Sequence, residues 1–117
     1  MKLIKDFLKY QAKTSPYPLS IEIKKAFGSY IVDSENKKYL DFIAGVSVCN
    51  LGHSNPVIIR AIKKQIKKYM HVMVYGEFAL EPSVKLSKEI ASKISKNLEV
   101  IFLTNSGTEA VEGSLKL

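Results

Sequence analysis

Three adjacent residues, Ser106, Gly107 and Thr108, have the types and spacing of a turn that binds phosphate. The apolar run 100–103 precedes them and predicts a strand that is buried on both faces, as in a parallel sheet. Glu109 follows Ser106 by three residues, which is the spacing of a helix capping box. Where a strand passes through a glycine turn into a helix, free amides and the positive end of the helix dipole attract anions. The sequence therefore predicts a site for a phosphorylated ligand at this turn.

A simpler interpretation of the same turn stays open at this point. Serine, glycine and threonine are common at helix starts that bind nothing, because they cap the helix. The sequence contains neither G-x-x-x-x-G-K-[ST] nor G-x-G-x-x-G, the two glycine-rich phosphate signatures. Spacing alone does not decide between a capped turn and a ligand site.

Three short sequence motifs together resemble a known family. They are Tyr39–Phe42, Asn50–Pro56 and Asn105–Glu112, and their order and intervals resemble the N-terminal portion of class III pyridoxal-phosphate aminotransferases. This is the family of acetylornithine, ornithine and 4-aminobutyrate aminotransferases, and the resemblance runs from about Ile21 to Leu117. It implies an α/β fold, the N-terminal part of the fold type I of pyridoxal-phosphate-dependent transferases. Small-domain strands would then come first and the start of the large-domain sheet would follow.

The resemblance also implies a cofactor and the residues around it. Pyridoxal 5'-phosphate is expected to bind through its phosphate to Ser106, Gly107 and Thr108. Val46 falls where family members carry a residue that faces the substrate, although a buried core valine is an equal alternative. Tyr75, on an irregular crossing loop, is a second candidate for substrate contact.

The reaction implied is transamination between an amino donor and a 2-oxo acid, by a homodimer. It requires a lysine that forms a Schiff base with the cofactor, an acidic residue beside the pyridine nitrogen, and usually an arginine for the substrate carboxylate. In the family all three follow the Ser-Gly-Thr turn, so we assign no catalytic residue within these 117 residues and expect them to be an N-terminal fragment. The alternative is a non-enzymatic α/β module, or a decayed paralogue, that binds a phosphorylated ligand or a subunit.

Composition excludes several other functions. The net charge of +7 comes from 17 scattered lysines and one arginine, whereas nucleic-acid readers cluster their charge and favour arginine, so we expect no nucleic-acid partner. The single cysteine and two distant histidines have no metal-ligand spacing. No apolar stretch reaches the length of a membrane span, and no secretory leader is apparent, so we expect no membrane association and a cytoplasmic location.

The predicted organisation has three parts. Residues 1–18 form an amphipathic helix and a linker, residues 19–80 a small-domain segment with a crossing loop, and residues 81–117 the start of the cofactor-binding domain. Within the second part, alternation predicts strands between Ile21 and Phe42, a loop at 41–46 and a helix from Pro56. Glu81–Pro82 opens a further helix with a stop near Asn97. His53, in the tight loop 50–53, is expected to be structural, with its imidazole bonded to backbone groups.

We predict that the 117-residue chain by itself has no transaminase activity and forms no specific adduct with pyridoxal phosphate. The turn grips one end of the ligand, and a few hydrogen bonds there must offset the entropy lost on binding. Borohydride reduction followed by peptide mapping measures this and detects nonspecific adducts with surface lysines. A single stoichiometrically labelled lysine, together with amino transfer to an oxo acid, would contradict the prediction.

Overall fold

The computed structural model describes residues 2–74 and 76–117, which divide into two compact units, one ending at Met70 and one running His71–Leu117. The first unit contains a helix, three strands, a helical turn and a second helix: α1 (Lys2–Tyr10), β1 (Ile23–Phe27), β2 (Tyr30–Asp33), β3 (Lys38–Leu40), α2 (Ala44–Ser47) and α3 (Pro56–Ile66). The second contains α4 (Glu81–Ala91) and α5 (Gly107–Lys116). The domain division predicted at residue 80 stays a prediction.

The strands of the first unit form one antiparallel sheet in the order β1-β2-β3. Tyr30 pairs with Phe27 on one side and with Leu40 on the other, and the register of β1 shifts between Ile23 and Lys25. Gly28 has a φ of 51°, a left-handed conformation that glycine adopts without steric cost in the β1–β2 turn. The strands predicted between Ile21 and Phe42 are confirmed, and they form a small antiparallel sheet of three strands.

A carboxylate holds the turn between β2 and β3. Asp33 Oδ1 accepts hydrogen bonds from the amides of Glu35 and Lys37 at 3.0 and 2.8 Å, and Asp33 Oδ2 accepts one from the Tyr39 hydroxyl at 2.8 Å. Burial raises the pKa of the Asp33 carboxyl, but the hydrogen bonds from Tyr39, Lys37 and Glu35 outweigh it and hold the pKa below its ordinary value of 3.8. The carboxylate therefore stays ionised in the folded chain at neutral pH.

Two helices begin where the sequence predicts them. Asn55 caps α3, because its side chain accepts from the Val57 amide at 2.9 Å, and Pro56 occupies the first turn. Glu81 and Pro82 open α4. This helix ends at Ala91 rather than near Asn97, because the Lys93 amide bonds to the Ile90 carbonyl three residues back and tightens the last turn.

The predicted strand at 100–103 is wrong for this structure. These residues form neither helix nor strand, and within residues 2–74 and 76–117 their backbone makes no hydrogen bond to another segment. A strand requires ladder bonds to a neighbour, and the described sheet consists of β1, β2 and β3 alone. Val100 and Phe102 are 93% and 86% exposed. The apolar side chains of this run, whose character suggested burial, are therefore not buried by the described residues.

Very little of the chain is buried. Among the described residues Val32 is the one buried hydrophobic side chain, although 46% of the sequence is hydrophobic. Ile58, Ile62 and Ile66, which repeat at helical spacing along α3, are 40–52% exposed. The amphipathic faces that the sequence predicts therefore exist, but none of the residues in 2–74 and 76–117 covers them fully.

We expect Tyr39→Phe to raise the pKa of Asp33 toward 3.8, since it removes a hydrogen bond that favours the ionised form. The folded-state pKa lies below the unfolded value, so the stabilisation is complete above the unfolded pKa and is lost as pH falls through the folded-state pKa. Acid unfolding should thus begin at higher pH in the variant. Carboxyl NMR titration measures the pKa.

The exposed Tyr17 provides the control for that substitution, because Tyr17→Phe removes a hydroxyl that has no part in the β2–β3 turn. An Asp33 pKa that is the same in Tyr39→Phe as in the unaltered protein would contradict the prediction.

Candidate functional site

The turn before α5 forms the predicted capping box. Ser106 is extended, with φ −148° and ψ 157°, and its hydroxyl accepts a hydrogen bond from the Glu109 amide at 3.2 Å. Glu109 Oε2 in turn accepts from the amides of Ser106 and Asn105 at 3.1 and 2.8 Å. The carboxylate therefore satisfies the two amides before the helix and fixes the direction in which the helix begins.

The next two backbone amides, those of Gly107 and Thr108, remain available to a ligand. No acceptor in the described part of the chain pairs with the amides of Gly107 and Thr108, which are the first two residues of α5. Amides in the first turn of a helix have no partner within the helix, and together with the helix dipole they favour an anion. The Ser106 and Thr108 hydroxyls lie on the same turn and add two possible donors. A phosphate group matches this set of donors.

Gly107 leaves space at this point. A Cβ built there would meet no atom within 4 Å, and its φ lies outside the left-handed region. Neither the backbone conformation nor a neighbour in the described chain therefore requires glycine. The missing side chain gives a ligand free approach to the amides, so the residues present fit a phosphate.

A cavity of about 790 Å³ opens beside the turn within the second unit. Its wall includes Thr104 and Asn105 but neither Gly107 nor Thr108, so it lies next to the amides and not over them. The remaining lining residues come from the loop before α4, from α4 and from the apolar run: Val74, Gly76, Phe78, Leu80, Ser83, Val84, Ser87, Ile101, Phe102 and Leu103. Most of this wall is apolar, which suits a flat organic ligand more than a free ion.

The segment that carries Val46 is a left-handed helical turn, not the loop that the sequence predicts. Four consecutive residues, α2, have φ between 49° and 63°, and the amides of Ser47 and Val48 bond to the carbonyls of Ile43 and Ala44 at 3.0 and 2.9 Å. Left-handed backbone costs roughly 1–2 kcal/mol for each residue with a side chain, and only Gly45 escapes this cost. Strain of this kind accumulates at functional sites.

Val46 lies at the exposed surface of this turn. Val46 is 83% exposed among the described residues, so no residue among them buries it. Its contact with a substrate stays a prediction. Val46 belongs to the first compact unit and the Ser106–Thr108 turn to the second, so each is described within its own unit. Tyr75, the other predicted substrate contact, lies outside the described residues.

An aspartate and a histidine stand at the base of the left-handed turn. Asp41 Oδ1 accepts from the amides of Ile43 and Ala44 at 2.9 and 3.0 Å, and Asp41 Oδ2 lies 2.7 Å from His53 Nε2. The hydrogen bond from His53, followed by those from the Ala44 and Ile43 amides, holds the pKa of the Asp41 carboxyl below its ordinary value of 3.8. An ionised carboxylate only accepts, so His53 Nε2 is the donor.

This pair corrects one expectation for His53. Its structural role agrees with the prediction, but its imidazole bonds to Asp41 and not to the backbone. The backbone of His53 instead pairs with Gly28, with N–O distances of 3.0 and 2.8 Å. The Asp41–His53 pair was missed because the eleven residues between the two follow no period. Both residues do lie in the sequence motifs that suggested the family. That was the available sign that they belong to one functional region.

The described residues show neither a buried lysine nor a cluster of metal ligands. All 17 lysines are exposed, so none has the desolvated environment that activates a lysine nucleophile. Within the described ranges no three His, Cys, Asp or Glu side chains gather in a way that would hold a metal ion. The helices described are also too short or too polar to cross a membrane.

Comparison with known proteins decides the family. The family model for Aminotransferase class-III matches residues 10–117. This chain belongs to the class-III aminotransferase family. It is 41% identical over 100 residues to the acetylornithine aminotransferase of Clostridium acetobutylicum, and the aligned part covers 84% of this chain and 24% of that protein.

Solved aminotransferase structures share the fold. Adenosylmethionine-8-amino-7-oxononanoate aminotransferase from Methanocaldococcus jannaschii matches with a TM-score of 0.82 and 30% identity, over 98% of this chain and 27% of that one. The omega transaminase from Pseudomonas jessenii, solved in complex with PMP, matches with a TM-score of 0.79 and 25% identity, over 97% and 26% of the two chains. These matches confirm the predicted α/β transferase fold, and the chain spans about a quarter of the length of these aminotransferases.

We predict that Ser106→Ala destabilises the start of α5 by about 1 kcal/mol, because it removes the side-chain acceptor of the Glu109 amide. Hydrogen exchange at that amide measures the effect. Ser114→Ala is the matched control, since Ser114 bonds to the Val111 carbonyl inside the same helix and caps nothing. Equal exchange at Glu109 in the two variants would show that the capping box does not hold the turn.

Proposed function

We propose that this chain forms the N-terminal part of a pyridoxal-phosphate-dependent aminotransferase that moves an amino group between an amino donor and a 2-oxo acid. The observation that carries the proposal is the pair of unpartnered amides at Gly107 and Thr108, in a chain that belongs to the class-III family. A capped turn alone explains the bonds of Ser106 and Glu109. It does not explain why the following residue is a glycine with open space around it.

In this proposal Ser106, Gly107 and Thr108 bind the cofactor phosphate. The Gly107 and Thr108 amides donate to phosphate oxygens, and the Ser106 and Thr108 hydroxyls donate beside them. Glu109 contributes by accepting from the amides of Asn105 and Ser106, so that its carboxylate does not compete with the phosphate for the amides of Gly107 and Thr108. Bound pyridoxal phosphate supplies the aldehyde that takes up the amino group and the ring that accepts electrons during transfer.

Two further residues are proposed to contact the amino donor. Val46, exposed on its left-handed turn, contributes an apolar contact to the donor, and Tyr75 contributes a second contact. The chain is then organised as an N-terminal helix and linker (residues 1–18), a small-domain segment with the crossing loop (19–80) and the start of the cofactor domain (81–117). The Schiff-base lysine, the acid at the pyridine nitrogen and the carboxylate-binding arginine come from a later part of the same enzyme.

We also propose that the enzyme is a cytoplasmic homodimer. The exposure of apolar side chains on α1, on α3 and at 100–103 supports an assembly in which further protein surface covers them. A non-enzymatic module that binds a phosphorylated ligand or a subunit is the competing proposal. The sequence after codon 117 separates the two, since a continued frame with a lysine after a strand is required for the enzyme.

We predict that Gly107→Val in the complete enzyme weakens pyridoxal-phosphate binding by about 10- to 100-fold, as expected for the loss of one hydrogen bond to a charged group. The valine side chain would extend into the open space at Gly107 and hinder the approach of the phosphate. Thr108→Ala should weaken binding less, because the backbone amide survives. Cofactor titration followed by absorbance measures both dissociation constants.

Gly113→Val is the matched control for this experiment. Gly113 lies in the same helix, its Cβ would also meet nothing within 4 Å, and it is away from the turn. Cofactor binding should therefore be unchanged in that variant. An equal effect at Gly107 and Gly113, or none at Gly107, would sink the assignment of the phosphate site.

A further inference from the structure

The left-handed turn α2 needs something to hold it in shape. Three of its four residues carry side chains that disfavour positive φ, and Val46 is β-branched, which makes a φ of 60° especially unfavourable. Side-chain packing does not hold the turn, because Ile43, Val46 and Val48 are 65%, 83% and 78% exposed. Hydrogen bonds must therefore do so.

Asp41 supplies the bonds at the entry to the turn. Its Oδ1 accepts from the amides of Ile43 and Ala44, so it fixes the last residue before the turn and the first residue within it. The Asp41 amide donates to the Ser29 carbonyl at 2.9 Å, which ties the aspartate to the β1–β2 turn. The Asp41 backbone is held by this bond, and Oδ1 is already bonded. Oδ2 is therefore the oxygen through which another group can fix the orientation of the carboxylate.

His53 provides that orientation. Its Nε2 lies 2.7 Å from Asp41 Oδ2, and the side chains of the two residues are 17% and 10% exposed. His53 is itself anchored by two backbone bonds to Gly28, and the next residue, Ser54, donates its hydroxyl to the Ala26 carbonyl at 2.8 Å. A Cβ on Gly52 would lie 3.3 Å from the Gly28 backbone, so this close approach depends on glycine.

We infer that Asp41 and His53 are positioning residues, which lock the left-handed turn to the end of the β1–β2 hairpin and thereby aim Val46 at the amino donor. The inference rests on the proposed function for the part that concerns the donor. Neither residue needs to touch the substrate or the cofactor. Their effect is to keep the strained turn in one conformation, so that the contact from Val46 is formed before the substrate binds.

The test compares His53→Asn with His53→Gln in the holoenzyme. The amide nitrogen of glutamine reaches the place of His53 Nε2 and donates to Asp41, whereas that of asparagine falls short. In His53→Asn we expect the KM for the amino donor to rise about tenfold, as for a misplaced binding group, with kcat and cofactor affinity nearly unchanged. His53→Gln should restore the KM.

Hydrogen exchange gives a readout that is independent of catalysis. The amides of Ser47, Val48 and Cys49 close the turn by bonding to the carbonyls of Ile43 and Ala44. They should exchange faster in His53→Asn than in the unaltered holoenzyme, by about tenfold if the local opening becomes correspondingly easier. In His53→Gln the exchange should return to the original rate.

Tyr39→Phe is the control, because it also removes a side-chain bond to a carboxylate in the first unit, at the β2–β3 turn. It should leave both the KM and the exchange at 47–49 unchanged. Unchanged exchange in His53→Asn would overturn the inference, and so would faster exchange with an unchanged KM. An unaltered enzyme that transfers no amino group would instead overturn the proposed function, while the exchange data still decide whether the pair holds the turn.

Discussion

Hydrogen bonds at turns, and not a hydrophobic core, hold the described structure in place. Val32 is the single buried hydrophobic residue in the part of the chain that is described, so side-chain burial contributes little to the order of either unit. Short helices and three-stranded sheets are marginal without tertiary packing. The positions that matter for function are therefore fixed locally, by polar groups close to them in sequence or joined to them by one long-range contact.

The same hydrogen-bond arrangement, a carboxylate that accepts from two backbone amides, recurs at three turns. Asp33, Asp41 and Glu109 each offer one carboxylate oxygen to two backbone amides, and in the first two cases the other oxygen takes a bond from Tyr39 or His53. An acceptor-only group shared between two amides satisfies donors that a tight turn leaves unpaired. At α5, Glu109 bonds to the two amides before the helix, and no acceptor among the described residues pairs with the amides of Gly107 and Thr108.

The two candidate contact regions differ in how their geometry is produced. The Ser106–Thr108 turn is built from neighbours in sequence, since every bond that shapes it spans four residues or fewer. The turn that carries Val46 instead depends on His53, twelve residues from Asp41, and on the hairpin that anchors it. The bonds of the Ser106–Thr108 turn are thus all local, whereas those around the turn that carries Val46 include a contact from a separate part of the chain.

The sequence by itself determined what local signals encode. These are the helix starts at Asn55, Glu81 and Ser106 and the strands of the small sheet. Three motifs at fixed intervals also indicated the family. Tertiary structure alone decided the rest. The apolar run 100–103 has strand character, but a strand exists only where a neighbour completes its ladder, and none of the described residues does so. The left-handed turn and the Asp41–His53 bond were likewise invisible, because positive φ at Ala44, Val46 and Ser47 opposes local preference and because the bond joins residues twelve positions apart.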